Sequence, residues 1–455
     1  MPLQRAMRRP ASTDVAAFAS ASRDFLRPWR RAYVPYEGES GIVSAPDHAT
    51  APPRIAALDG IRAVAILWVI AHNVGSADEG PTGLALKLWT VVSNSGWVGV
   101  QLFFALSGFL ITRILLDSKG ADGWLRSFYM RRLLRIVPLY YALLAFVFLV
   151  PPHVPALAPL LAGGHRSTLW YWAYLSNWIA PFGGLAAPLP HVWSLAVEEQ
   201  FYLAWPLLVA AWSDRALVRA CAAMVVIALV VRLSLHFLLT GEEGSAAAYE
   251  LTVARWDTIA LGALVAIAIR HRRAEKFLRT HLFGIVVTLV VAVLGMTAVQ
   301  RGLPARGLIT ELVNQPLTGL LSAAVVLACV IDTSPSSAGA WLQRATVRML
   351  SVRWITTIGK YSYGIYIFHS PVHRVLRPYV SGWLATGTGN GRFAAHVGYS
   401  ASVLGISMLL ALITWNVLEQ PFLSLKRYFP MRIAPRIVSA ASPQASGESS
   451  DRVNG

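Results

Sequence analysis

The chain has 455 residues and a formal net charge of +17, yet only 14% of its residues are charged and 55% are hydrophobic. Soluble globular proteins carry roughly a quarter charged residues. Together with a mean hydropathy of +0.51, this composition excludes a soluble cytosolic enzyme, a disordered chain and a coiled coil. It predicts an all-α polytopic membrane protein. Both cysteines lie inside apolar runs, so we expect no disulfide framework.

The two ends of the chain differ in composition from its middle. Residues 1–54 are rich in Arg, Pro, Ala and Ser, and no apolar stretch follows the early arginines as it would in a secretory signal. We predict a basic, disordered cytoplasmic arm that anionic lipids attract. Residues 55–430 form the predicted membrane domain, and 431–455 form a disordered cytoplasmic tail. Because membrane topology explains the basic excess, we expect no nucleic-acid partner.

Ten apolar stretches are long enough to cross a bilayer, which takes about 20 residues. An eleventh, 168–180, is short and rich in aromatic residues, and we expect it to be re-entrant or interfacial. If it does not cross and the N-terminus is inside, the inner segments hold 30 Lys and Arg and the outer segments seven. The positive-inside rule favours this arrangement, so both termini are predicted to be cytoplasmic. The ten spans are 58–75, 97–116, 135–152, 194–212, 217–239, 252–270, 282–299, 310–331, 354–372 and 397–417.

Ionisable side chains within spans are costly and mark candidate functional sites. In the first span, Asp59 and Arg62 are three residues apart and can pair on one helix face. His72 lies ten residues beyond Arg62, about 15 Å further along the helix. The alternative is a structural ion pair and an interfacial histidine. In the second span, Ser107 and Gly108 are more typical of close helix packing.

Further polar residues lie at the ends of later spans. Arg131, Arg132 and Arg135 cluster at the inner end of the third span. They can hold a phosphorylated ligand bidentately, or they form only the positive-inside flank. His369 and His373 have the i, i+4 spacing of helical metal ligands, but no third ligand accompanies them, and we predict no metal site.

The fourth span begins with two adjacent carboxylates, Glu198 and Glu199. Neighbouring residues are about 100° apart on a helix, so at least one carboxylate should face a polar cavity instead of lipid. The sixth span begins with Arg255 and Asp257, which we interpret as an ion pair. In the predicted topology, Asp59, Arg62 and the arginines of 131–135 lie inside, whereas the outer side holds His72, Glu198, Glu199, Arg255 and Asp257. This polarity suits transfer of an activated group from an anionic donor inside to a hydroxyl outside.

Five blocks, in chain order, resemble the acyltransferase-3 family of integral-membrane O-acyltransferases. They are LDGIRAVAILWVIAH, GVQLFFALSGFLITRILL, FYMRRLLRIVPLYY, HVWSLAVEEQFYLAWPLL and IGKYSYGIYIFHSPV, with two weaker blocks, ARWDTIALGALVA and VLEQPFLSLKRYF. The resemblance covers about residues 56–429. It implies a bacterial inner-membrane enzyme that moves an acyl group, usually acetyl, from cytoplasmic acyl-CoA to a hydroxyl of an extracytoplasmic carbohydrate or glycolipid. Some members append an SGNH-type domain, whereas here we expect a stand-alone membrane domain.

The resemblance also implies roles for individual residues. His72 corresponds to the general base, and we expect Glu198 or Glu199 to orient it. The Arg62–His72 interval is one residue shorter than in the family pattern, which rotates one side chain by about 100° in a regular helix. Acetyl-CoA is the expected co-substrate, with no bound cofactor. The expected substrate-binding residues are Arg62, Arg131, Arg132, Arg135, Trp193, Ser194, Gln200, Tyr202, Arg255 and Asp257.

Two alternatives from other functional classes stay open at this point. Intramembrane charges also serve transporters, so the chain could export an acylated or phosphorylated glycolipid. It could also be a non-catalytic partner in a glycan-assembly complex. Consumption of a thioester by the purified protein is expected for the acyltransferase and for neither alternative.

Overall fold

The computed structural model consists mainly of α-helices, and it describes residues 55–75, 83–157, 168–179, 189–239, 241–332, 339–386 and 389–431. The predicted arm, 1–54, and the tail after residue 431 lie outside these ranges. The described ranges contain thirteen helices of ten residues or more and no strand, which confirms the all-α class. The helices are α1 (Ala56–Gly75), α2 (Leu84–Asn94), α3 (Val98–Ser118), α4 (Trp124–Leu149), α5 (Trp193–Ala211), α6 (Asp214–Leu238), α7 (Gly241–Glu250), α8 (Thr252–Ala268), α9 (Arg272–Val299), α10 (Gln315–Val330), α11 (Ala340–Leu350), α12 (Arg353–Thr386) and α13 (Gly389–Thr414).

Each of the ten predicted spans coincides with part of a helix. Eight helical segments of the described chain are long and apolar enough to cross a membrane, judged by length and composition. The predicted spans 194–212 and 354–372 form α5 and α12, which are not among the eight. Both helices contribute residues to the cavities described below.

The aromatic segment 168–180 forms no spanning helix over its described residues. Leu169–Trp172 is one helical turn and Ser176–Trp178 is a 3₁₀ turn, with a left-handed residue, Tyr174, between them. The hydroxyl groups of Tyr140 and Tyr141 on α4 donate to the carbonyl groups of Tyr171 and Trp172 at 2.9 and 2.8 Å. The described residues of the segment therefore form no helix long enough to cross, as expected. The two hydrogen bonds hold the segment against α4.

Helix α3 lies at the centre of the packing. It runs along α8 on one side and α1 on another, and α1 also packs along α12. In the spans that contain α3 and α8, 72% of the residues of the most apolar stretch are buried, whereas the figure for α9 is 6%. Large apolar side chains on α9, such as Val291, Leu294 and Val299, are exposed. An apolar exposed face of this kind is suited to lipid, so polar sites are confined to the inner helices.

Two glycines bring α3 and α8 into direct backbone contact. A Cβ atom on Gly108 would lie 1.9 Å from the carbonyl oxygen of Ile259, and one on Gly262 would lie 1.9 Å from that of Ala105. No side chain fits at such distances, so the two helices approach more closely than larger residues allow. This agrees with the packing role expected for Gly108. Its neighbour Ser107 has a different role, described below.

We expect Gly108→Ala to lower the free energy of unfolding by about 1–3 kcal/mol, because the added methyl group forces the two backbones apart. Gly295→Ala on α9 is the matched control, since nothing lies within 4 Å of its Cβ position. Replacing a glycine there should be neutral or slightly stabilising. Thermal unfolding of both variants in detergent measures the difference. Equal melting temperatures would contradict direct contact between α3 and α8.

Candidate active site

Three cavities lie between the inner helices and share lining residues. We call them the inner, middle and outer cavities, according to the predicted topology. Their volumes are about 310, 100 and 810 Å³. Arg62, Arg132 and Arg135 line both the inner and the middle cavity, and Val100 and Tyr366 line both the middle and the outer cavity. The three cavities therefore form one series that follows the length of the bundle.

The imidazole ring of His72 lines the outer cavity. Its Nδ1 atom lies 2.8 Å from the backbone carbonyl oxygen of Ser93, at the end of α2. A carbonyl oxygen only accepts hydrogen bonds, so Nδ1 carries the ring proton and Nε2 keeps a lone pair. The sequence analysis expected Glu198 or Glu199 to orient this ring. The contact at Nδ1 comes from Ser93 instead. Both glutamates line the middle cavity, whereas His72 lines the outer one.

A glycine makes the contact between Ser93 and His72 feasible. Gly96 lies in the turn between α2 and α3, and a Cβ atom there would be 2.2 Å from the Trp68 carbonyl oxygen and 2.6 Å from the Cβ atom of His72. The turn therefore packs directly on the backbone of α1. Helix α1 is regular over Ala56–Gly75, so no bulge compensates for the short interval between Arg62 and His72.

A chain of hydrogen bonds joins residues that line the middle cavity. The Ser107 hydroxyl group donates to Oε1 of Glu198 at 2.6 Å, and the Tyr202 hydroxyl group donates to Ser107 at 2.8 Å. The guanidinium carbon of Arg132 lies 4.7 Å from the centre of the Tyr202 ring. Glu198, Glu199 and Tyr202 therefore lie beside the arginines in one polar cavity, as the sequence predicted for at least one of the two carboxylates.

The other predicted residues of the fourth span separate. Trp193 lines the outer cavity, and Ser194 lines the middle cavity, with its hydroxyl group 2.6 Å from that of Tyr366. Gln200 lines none of the three cavities. Its Nε2 atom donates to the Tyr174 carbonyl oxygen at 2.8 Å and to Oδ1 of Asn177 at 2.9 Å. Gln200 thus fastens the short aromatic segment to α5.

The predicted pairing of Arg255 with Asp257 is wrong. Asp257 forms a buried ion pair with Arg232 of α6. Arg255 donates to Oε1 of Gln101 at 3.2 Å, and its guanidinium carbon lies 5.1 to 5.7 Å from the ring centres of Tyr249, Phe104 and Trp193. Residues two apart on a helix point about 200° away from each other, so the two side chains contact different neighbours. Neither lines any of the three cavities.

The arginines of the inner cavity have different partners. Arg62 forms the predicted ion pair with Asp59, with Nη1 and Oδ1 2.6 Å apart. Arg131 donates to the carbonyl groups of Phe429 and Lys426 at 3.2 and 3.4 Å, which ties the end of the domain to α4. All three predicted arginines of α4 line this cavity, together with Arg113 and Lys426. The inner cavity is therefore strongly cationic.

Comparisons with known proteins identify the family of this chain. A family model described as an acyltransferase domain matches residues 55–412. The chain belongs to this family. It is 30% identical over 339 residues to YrhL of Bacillus subtilis, a proposed peptidoglycan O-acetyltransferase, covering 70% of this chain and 48% of that protein. It is 26% identical over 388 residues to the O-acetyltransferase OatA of Staphylococcus aureus, covering 81% of this chain and 57% of OatA.

A third relative is the peptidoglycan O-acetyltransferase OatA of Listeria monocytogenes. It is 34% identical over 160 residues, which are 33% of this chain and 24% of OatA. The chain thus spans about half the length, or less, of the curated relatives it matches. No solved structure matches it. The family match confirms the acyltransferase resemblance, and it covers most of the predicted membrane domain, 55–430.

The structure of this acyltransferase domain adds residues that sequence reasoning missed. Ser93 acts through its backbone carbonyl group, so its side chain gave no signal. Three arginines also line the outer cavity: Arg306, Arg374 and Arg377. They lie in segments predicted to be outside, where basic residues are rare, and this was a signal for a site in the sequence. His373, considered as a metal ligand, also lines this cavity, with Nδ1 3.1 Å from the Tyr399 hydroxyl group.

We expect Asp257→Asn to lower the free energy of unfolding by about 3–5 kcal/mol, because it leaves the Arg232 charge buried without its carboxylate. Asp117→Asn is the matched control. Asp117 pairs with Arg270 at 2.6 Å, and the two side chains are 25% and 29% exposed. Because solvent screens such a pair, about 1 kcal/mol or less should be lost. Thermal unfolding in detergent compares the two. Equal losses would refute the structural role of the Arg232–Asp257 pair.

Proposed function

We propose that the protein transfers an acyl group, acetyl in the simplest case, from cytoplasmic acyl-CoA to a hydroxyl group of an extracytoplasmic carbohydrate. The observation that carries this proposal is the series of three cavities, with the arginines of α1 and α4 at one end and His72 at the other. The names of YrhL and OatA support acetyl as the acyl group and a glycan such as peptidoglycan as the acceptor.

The inner cavity is suited to the phosphate groups of coenzyme A. Arg132 and Arg135 lie on adjacent turns of α4, and four further basic residues line the same cavity: Arg62, Arg113, Arg131 and Lys426. Guanidinium groups bind phosphate oxygens in bidentate fashion, which favours a multiply phosphorylated donor over a neutral one. Arg132 also reaches the middle cavity, so the donor would extend from there toward His72.

The middle cavity suits the pantetheine arm of the donor. At about 100 Å³, it is smaller than the 300–1,000 Å³ of typical ligand pockets. It admits a narrow chain and excludes a sugar. The hydroxyl groups of Ser107 and Tyr202 and the carboxylate of Glu198 form its polar wall. They offer hydrogen-bond partners for the two amide groups of pantetheine, and the thioester then arrives at the outer cavity.

In the outer cavity, Nε2 of His72 accepts the proton of the acceptor hydroxyl group as its oxygen attacks the thioester carbonyl carbon. The new C–O bond forms, the tetrahedral intermediate collapses and the C–S bond breaks. The leaving thiolate takes the proton from the imidazolium ion, so coenzyme A departs as the thiol and His72 returns to its neutral form. The hydrogen bond from Nδ1 to Ser93 stabilises the imidazolium ion that forms between these steps.

We expect His72→Ala to lower acetyl transfer by on the order of 10² to 10⁴-fold, the usual contribution of a general base. Release of free thiol from acetyl-CoA by purified protein, with peptidoglycan fragments as acceptor, measures it. Binding of acetyl-CoA should persist, because its phosphate groups contact the inner cavity. The control is His373→Ala, which replaces a histidine of α12 that lines the same cavity, and it should keep most of the turnover. Near-normal transfer by His72→Ala would refute its role.

We expect Arg132→Gln to raise KM for acetyl-CoA by about 10-fold, the value of one charge-assisted hydrogen bond. KM for acetyl-pantetheine, which lacks the phosphorylated nucleotide, should not change. Arg126→Gln is the matched control on the same helix, since Arg126 is exposed, stacks on Phe429 and lies outside the inner cavity. An equal rise in KM for both donors would contradict a phosphate contact at Arg132.

A further inference from the structure

The outer cavity is more cationic than its location predicts. Three arginines line it, Arg306, Arg374 and Arg377, together with a single carboxylate, Glu250. Oε1 of Glu250 lies 3.6 Å from Nη2 of Arg306, so this carboxylate is already engaged by one of the three cations. Among the described residues, the lining therefore carries two more positive than negative charges.

Membrane topology does not account for these arginines. Basic residues are retained on the cytoplasmic side, so outer segments should be poor in them. The predicted outer segments contain seven Lys and Arg in all, and three of the seven line this one cavity. Because the topological effect acts against basic residues here, their concentration around a cavity indicates that they bind something.

The arginines approach the cavity from two different elements. Arg374 and Arg377 lie three residues apart on α12, with Ser370 and Ser381 at the same edge of that helix. Arg306 belongs to the connection before α10, where its guanidinium carbon lies 5.9 Å from the centre of the Tyr249 ring. Cations from two elements can contact one anionic group together. Basic residues that only flank a membrane span would instead lie along a single loop.

We propose that the acceptor carries an anionic group, a carboxylate or a phosphate, close to the hydroxyl group that is acylated. This inference rests on the proposed function. Arg306, Arg374 and Arg377 bind the anionic oxygens through paired N–H donors. With the anion held there, the hydroxyl group lies in the same cavity as His72. At about 810 Å³, the cavity is near the upper end of typical ligand sites and accommodates the end of a glycan.

The test compares matched acceptors with purified protein in nanodiscs and acetyl-CoA as donor. The first pair is the N-acetylglucosaminyl–N-acetylmuramic acid disaccharide and the same disaccharide with its carboxylate reduced to an alcohol. The second pair is a short-chain polyprenyl pyrophosphate disaccharide and the corresponding neutral glycoside. We expect the wild type to prefer the anionic member of one pair by about 10-fold or more in kcat/KM. The pair that shows the preference identifies the carboxylate or the phosphate as the recognised group.

The preference should fall toward unity in Arg306→Gln and in the double variant Arg374→Gln/Arg377→Gln. A general loss of activity would lower kcat/KM for the neutral acceptor as well. The ratio of kcat/KM for the anionic acceptor to that for the neutral one is therefore the quantity to compare. Arg301→Gln is the matched control, because Arg301 lies in the same connection as Arg306, is exposed and does not line the cavity. It should keep the wild-type ratio.

Three results would overturn the inference. The first is equal use of the anionic and neutral members of both pairs by an active wild type, which leaves the proposed function intact. The second is a preference that survives in the arginine variants or that Arg301→Gln also removes. The third is absence of transfer to every acceptor while His72→Ala and wild type consume acetyl-CoA equally, in which case the proposed function fails as well.

Discussion

The hydrogen bond between His72 and the Ser93 carbonyl group is the contact on which the outer cavity depends. It fixes which ring nitrogen carries the proton, and it exists only because Gly96 allows the turn between α2 and α3 to pack on α1. The residues that follow on each side of this contact also line the cavity: Asn73 follows His72 on α1, and Trp97 follows Gly96 in the turn. A wider separation of the turn from α1 would release the imidazole and open the cavity wall together.

Buried polar side chains in this protein are of two kinds. One kind bonds to other groups within the bundle: Gln315 accepts from Arg232 at 2.8 Å, and the Gln101 amide group donates to the backbone of Gln315 while its oxygen accepts from Arg255. Such groups have no bulk water to bind, so they hold neighbouring helices in register. The other kind, which includes Glu198 and Arg132, lines a cavity and is available to a ligand.

In the proposed reaction, the series of cavities gives the two substrates different sites. Arginines at the inner end suit a phosphorylated donor, and a narrow middle cavity lets only an extended chain reach the outer end. The proposed acceptor site is the larger, outer cavity, so in this proposal the two substrates meet only there, where His72 lies. An acyl group can therefore pass along the bundle while the nucleotide and the glycan remain at opposite ends.

Composition and local pattern were sufficient for the fold class, because a bilayer requires long apolar helices whatever their partners are. They also located the spans, the short aromatic segment, the Asp59–Arg62 pair and the polar cavity beside Glu198, all of which depend on residues close in sequence. The arginine cluster of α4 and the position of His72 along α1 follow from helical spacing in the same way.

Only the tertiary structure decided which distant groups meet. The partner of His72 is a backbone carbonyl group, which every residue possesses, so no side-chain pattern could have identified Ser93. Asp257 pairs with Arg232 across two helices and not with its neighbour Arg255, because helix geometry turns residues two apart away from each other. The sequence by itself determined the helices and the side on which each charge is expected. The packing of those helices decided which charges neutralise each other and which face a cavity, because that depends on contacts between residues far apart in the chain.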